Sequence, residues 1–101
     1  RLNPGNPVRS SPDTQNEIGR RLLMGEGMTK DPVEAIRWFS AAMARTNAPA
    51  MANIGHCYFY GEGVPQNYTQ ALTYLNAAGQ RGDAYASYLL GECYLNGYGV
   101  P

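Results

Sequence analysis

No run of apolar residues in this chain approaches the ~18 needed to cross a bilayer, and no charged, apolar and small-residue series resembles a signal peptide. Insertion into a membrane is therefore not expected. An excess of one charge is missing too. Eight basic side chains meet eight acidic ones, which leaves no basic surplus to displace counterions from phosphates and argues against nucleic acid as a partner. Histidine occurs once, at His56. Catalysis by a lone imidazole needs a carboxylate or thiol beside it, and the adjacent Cys57 points ~100° away around a helix. Neither Asp13 nor Glu92 has a second acid at helical spacing, so no paired-carboxylate chemistry is indicated. No catalytic residue, cofactor or metal set is expected.

Cysteine is scarce, with two residues in the contexts GHCY and GECY. Cys57 and Cys93 lie 36 positions apart. If they occupy equivalent places in stacked units they sit ~10 Å apart, beyond the ~7 Å that a bridge tolerates. Two buried free thiols are expected. They lean toward a reducing compartment but are too few to assign one. The chain starts at Arg1 rather than Met, from which an upstream segment is expected to have been processed away or omitted.

What the chain does have is an internal period. Gly19, Gly55 and Gly91 stand at intervals of 36, as do Gly25, Gly61 and Gly97, then Gly27, Gly63 and Gly99. The last two series form the turns GEGM, GEGV and GYGV. A period between about 20 and 50 residues marks a repeat protein, whose units bury their apolar faces only by stacking on one another. At 101 residues the chain is one domain, large enough to remove roughly 60 to 65% of its unfolded surface from water.

Residues 1–10, with Pro4, Gly5 and Pro7 and no periodicity, read as an extended lead-in, followed by repeats over 11–46, 47–82 and a partial 83–101. Ser11, Asn47 and Asp83 share one register, and their side-chain oxygens suit the open amides of a helix's first turn. Pro12 fits the first helical position. Each such helix, A, runs about a dozen residues to the G-x-G turn, with Ala50, Ile54, Cys57 and Tyr58 as its apolar stripe in the second copy. A second cap series, Asp31 and Asn67, is followed three residues later by Glu34 and Gln70 in a capping-box arrangement. Helix B starts there, carrying Ala35, Trp38, Phe39 and Ala42, then Ala71, Tyr74, Leu75 and Ala78. Two helices joined by a short turn make an antiparallel hairpin. Asn67-Tyr68-Thr69 also matches a glycosylation acceptor, but the cap role accounts for Asn67.

Glycine in the middle of helix A costs about 1 kcal/mol relative to Ala, so Gly19, Gly55 and Gly91 predict close approach of helix B. Gly25, Gly61 and Gly97 fall where the helix ends, and the next glycine is expected to keep the loop compact. A phosphate-binding reading of G-x-G fails because each turn follows a helix, not a strand.

These residues resemble the Sel1-like repeats, relatives of the tetratricopeptide class with a longer loop. The second copy carries the likeness as Ala50-x-x-x-Ile54-Gly55-x-x-Tyr58-x-x-Gly61-x-Gly63-Val64, then Asn67, Ala71, Tyr74 and Ala78, and it extends over 11–101. Two departures stand out: Met43 or Gly79 replaces the second Ala of an Ala-Ala pair, and Thr46 replaces the Gly before the next helix. The resemblance implies an all-α, right-handed superhelical solenoid of helical hairpins, two full repeats and half of a third, used mainly as an adaptor in protein assemblies. It also implies A helices lining a concave wall. Tetratricopeptide offsets carried onto this chain select Asn16, Arg20 and Met24; Ala52, His56 and Tyr60; and Tyr88, Glu92 and Asn96, with Pro49 and Tyr85 one turn earlier.

That row mixes aromatic anchors at Tyr60, Tyr85 and Tyr88 with charge running from Arg20 to Glu92, and it suits an extended or helical peptide segment. The competing role for the tyrosines is packing between repeats with their hydroxyls at the rim. The third copy stops at Pro101, before its helix B. Tyr85, Tyr88, Leu89, Leu90 and Tyr94 are then expected to show solvent an apolar face. Either the chain belongs to a longer solenoid or this end docks onto something, which gives self-assembly as an alternative function. A hydrolase acting on cell-wall or antibiotic substrates is a third reading, taken from disulfide-rich relatives. Those carry a cysteine pair in each repeat, which this chain does not.

Overall fold

Helix starts follow the 36-residue interval. The computed structural model describes residues 10–101, which form α1 (Pro12–Met24), α2 (Pro32–Met43), α3 (Ala48–Tyr60), α4 (Tyr68–Gln80) and α5 (Ala84–Asn96), with no strand among them. The lead-in expected at residues 1–10 lies, apart from Ser10, outside the described residues. Side chains of Ser11, Asn47 and Asp83 accept from the amides of Thr14, Ala50 and Ala86, and those of Asp31 and Asn67 from Glu34 and Gln70. Each bond satisfies one of the donors that a helix start leaves open. The first of the two capping boxes keeps to the forward half: the Glu34 carboxylate accepts instead from Arg37, at 2.9 Å.

The ends of the A helices repeat as closely as their starts. Carbonyls of Arg21, Cys57 and Cys93 each accept two amides, from residues 25 and 26, 61 and 62, and 97 and 98. Gly61 holds φ at +72° to do this, a conformation that side chains resist. The loop then returns to its helix, with the Asp31 amide bonding to the Leu22 carbonyl and the Asn67 amide to that of Tyr58.

Hairpins α1–α2 and α3–α4 close over the mid-helix glycines. A Cβ on Gly19 would lie 2.6 Å from the Phe39 ring, and one on Gly55 would lie 2.6 Å from Leu75 Cδ2. Phe39 and Leu75 are fully buried, each contributing about 1.5–3 kcal/mol, which exceeds the cost of glycine in the helix. Between hairpins, α2 packs on α3 and α4 on α5. The second loop glycine has a larger role than keeping its own loop compact. A Cβ on Gly63 would stand 2.7 Å from the Pro32 carbonyl oxygen, and one on Gly99 would stand 3.0 Å from Tyr68 Cβ. Each loop therefore presses on the first turn of helix B in the preceding copy.

Two apolar clusters fill the stack. Leu23, Ala35, Phe39, Ala42, Ala50, Ile54 and Cys57 form one, and Met51, Phe59, Ala71, Leu75, Ala86, Leu89 and Cys93 belong to the other. Met43 touches both, its unbranched side chain bridging the gap where a smaller residue was expected. Tyr58 and Tyr74 stack at 5.7 Å and 4°, and both thiols are buried and unpaired.

The last helix turns differently from expectation. Leu89 is fully buried and Leu90 half-buried, because both face back onto the second repeat. The exposed side carries Tyr88 and Tyr94 as expected, with Leu95 in place of the two leucines: Leu95 is at 83% exposure, whereas Phe59, its equivalent one copy earlier, is at 6%. Gly91 sits on that side with nothing within 4 Å of its notional Cβ.

Candidate interaction surface

The A helices α1, α3 and α5 share a face opposite α2 and α4, and most of the row expected from the sequence lies along it. Met24, Tyr60 and Tyr88 are more than half exposed, Tyr85 is 39% exposed, and Pro49 and Asn96 are exposed. Asn16, Arg20, His56 and Glu92 are half-buried. Ala52 is a correction: at 2% exposure it packs inside the second apolar cluster and offers no surface, because α5 closes over that side of α3. Asn96 turns its amide back to the Glu92 carbonyl, at 2.9 Å.

Three cross-helix contacts, two of them involving residues the sequence reading passed over, give this face its shape. Asn53 donates to Asn16 Oδ1 at 2.8 Å, and Asn47 donates to Asp13 Oδ1 at 2.9 Å, tying α3 to α1. His56 ties α3 to α5: its Nδ1 lies 2.6 Å from the Tyr85 hydroxyl and its Nε2 lies 2.7 Å from Glu62 Oε1. A neutral imidazole protonated at Nε2 satisfies all three groups, with Tyr85 donating to Nδ1 and Nε2–H donating to the carboxylate. The carboxylate partner that His56 lacked on its own helix thus arrives from the following loop.

A signal for that partner existed in the sequence. Arg20 pairs with Glu26 at 3.1 Å, and His56 with Glu62 stands at the same two positions one copy later. In the third copy those positions hold Glu92 and Tyr98, so the loop acid is absent where the helix supplies an acid itself. Arg20 also bonds Glu17 at 3.0 Å, and these bonds to Glu17 and then Glu26 push its pKa further up. Glu17, bonded by Arg20 and then Arg21, is held below the usual carboxylate range. Charge at the α1 end of the row is therefore already neutralised within the helix and its loop.

The α3–α5 end is aromatic. Ring centroids lie 4.8 Å apart for His56 and Tyr60, 5.8 Å for His56 and Tyr85, and 6.4 Å for Tyr85 and Tyr88. Burial, followed by the proximity of Tyr60, Tyr88 and Glu62, pushes the Tyr85 phenol up to about 12. The Glu62–His56–Tyr85 chain ties α3 and its following loop to α5. Among the described residues no cluster of His, Cys, Asp and Glu could hold a metal ion, and no helix is long and apolar enough to cross a membrane.

Known proteins carry the same architecture. A Sel1 repeat profile matches residues 12–45, 48–83 and 84–101. The chain superposes with a TM-score of 0.85 on c5321, a protective antigen of uropathogenic Escherichia coli strains displaying an SLR fold, at 28% identity over 92% of this chain and 20% of that one. A Sel1 repeat protein from Oxalobacter formigenes gives 0.80, with 36% identity over 89% of this chain and 37% of that one. The chain thus spans about a fifth of the first protein and under two fifths of the second. No curated protein sequence matches it. Three profile matches in tandem, on helices that start, end and pack at one interval, establish that the chain belongs to the Sel1 repeat family.

Proposed function

We propose that this chain is a non-catalytic interaction module that holds a protein or peptide segment on the face of α1, α3 and α5. Sel1 repeats generally mediate contacts between proteins, which supports the coarse reading. The observation that favours this face is the adjoining exposure of Tyr60, Tyr85 and Tyr88 on two neighbouring helices. Tyrosine offers large contact area for little lost rotamer freedom. Tyr60→Ala and Tyr88→Ala test the reading: both side chains are more than half exposed, so the variants should keep their thermal midpoint and lose most partner recovery in a pull-down read by mass spectrometry. Loss of fold without selective loss of partner would overturn it.

A second reading has its own support on the outer side of α5. Tyr94 and Leu95 are exposed there beside Gly91, in the place where Gly55 receives Leu75. An exposed apolar strip with a helix-sized notch fits a further helix, supplied by a second copy in a self-assembling subunit. Sedimentation across a concentration series decides it: a species that stays monomeric at every concentration excludes self-stacking.

A further inference from the structure

We infer that the α3–α5 end of this face takes the lysine or arginine side chain of a basic peptide segment, seated against the rings of Tyr60, Tyr85 and Tyr88 between the carboxylates of Glu62 and Glu92. The inference rests on the proposed role of the A-helix face and adds the chemistry of its partner.

Charge is the first support. Residues 47–101 carry three acids, Glu62, Asp83 and Glu92, against one base, Arg81. Arg81 sits at the end of α4 and donates to the Ala77 carbonyl of its own helix, at 3.2 Å. Among the described residues no lysine or arginine pairs with Glu62 or Glu92, whereas at the α1 end Arg20 already satisfies Glu17 and Glu26. The contact that Glu62 does make is with the His56 imidazole, at 2.7 Å, and no ion pair forms at Glu92 among the described residues.

Placement is the second. Tyr85, Tyr88 and Glu92 follow one another at i, i+3 and i+7 on α5, the spacing of a single helix face. Tyr60 and Glu62 approach from α3 and its loop, and His56 fixes the two walls to each other through Tyr85 and Glu62. A cation over tyrosine faces, with carboxylates beside it, gains from the ring quadrupoles and from Coulomb attraction at once.

The test uses three extended nine-residue peptides that differ at three positions, bearing arginine, glutamine or glutamate, titrated into the isotope-labelled chain and followed by amide shifts. The arginine peptide should give saturable shifts at residues 56, 60, 85 and 88, weakening as salt rises. Tyr60→Leu and Tyr88→Leu should each weaken it about two- to five-fold. Glu62→Gln, which can still accept from His56, should weaken the arginine peptide and leave the glutamine peptide unchanged. Binding of the glutamine or glutamate peptide to this row, with none by the arginine peptide, would overturn the cationic preference and leave the A-helix reading standing. If no peptide shifts the row, both readings fall.

Discussion

A mid-helix glycine has opposite value in the second and third copies, and the difference is a matter of ångströms. At Gly55 a methyl group would stand 2.6 Å from Leu75 Cδ2 and 3.4 Å from the Ala71 carbonyl, against a side chain with no exposed surface to retreat into. Overpacking of this kind costs about 1–3 kcal/mol, more than the gain of up to about 1 kcal/mol from replacing glycine in a helix. Gly55→Ala should therefore lower stability, by about 1–2 kcal/mol after that offset. At Gly91 nothing lies within 4 Å, so Gly91→Ala should raise stability by about 0.5–1 kcal/mol. Urea midpoints at unchanged m-value check both. A Gly91→Ala chain less stable than its parent would mean that the outer side of α5 is covered in solution.

Between elements, the junctions carry the strain and the register. Thr46 holds φ at +59° in the turn from α2 to α3, where the next copy has Gly82 at +85°. A side chain in that region costs on the order of 1–3 kcal/mol, offset in part by the added freedom that glycine brings to the unfolded chain. Thr46→Gly should stabilise the chain by about 1 kcal/mol, read as a shift in denaturation midpoint, although it removes the Thr46 hydroxyl bond to the Arg45 carbonyl. No gain, or a loss, would show that this bond offsets the backbone strain. The His56 tie between α3 and α5 acts at the same scale: one imidazole sets the spacing of two helices and the aromatic surface between them.

For the whole molecule, the buried acids make alkaline pH the vulnerable direction. Burial, followed by the nearby Glu62, pushes the Cys57 thiol from an ordinary 9.0 up to about 12, and Tyr85 rises from 10.0 to about 12. Burial raises Cys93 as well, with Glu92 adding to it. Below about pH 9 both folded and unfolded chains keep these protons, so stability does not depend on them. Between about 9 and about 12 the unfolded chain releases protons that the folded chain retains, and stability falls as pH rises. The urea midpoint should drop from pH 8 to pH 11, and Cys57→Ala should make the drop shallower. Native thiols should also resist alkylation at neutral pH until the chain unfolds. A midpoint that stays level to pH 11 would contradict the burial of Cys57.

Periodicity, caps and turn glycines are local signals, and from them the five helices, the hairpin pairing, the free thiols and the family were legible before any coordinates, because each depends on residues a few positions or one fixed interval apart. Ser11, Asn47 and Asp83 needed only the next turn of chain to act. The candidate site was legible as a row of positions but not as a site. Glu62 reaching His56 could have been read from the matching Arg20–Glu26 pair, yet the Tyr85 hydroxyl, the burial of Ala52 and the reversed exposure of Leu89 and Leu95 depend on which way α5 is rotated against α3 and α4. That rotation is set by the packing of side chains from separate copies, a property of the stack that no single repeat contains.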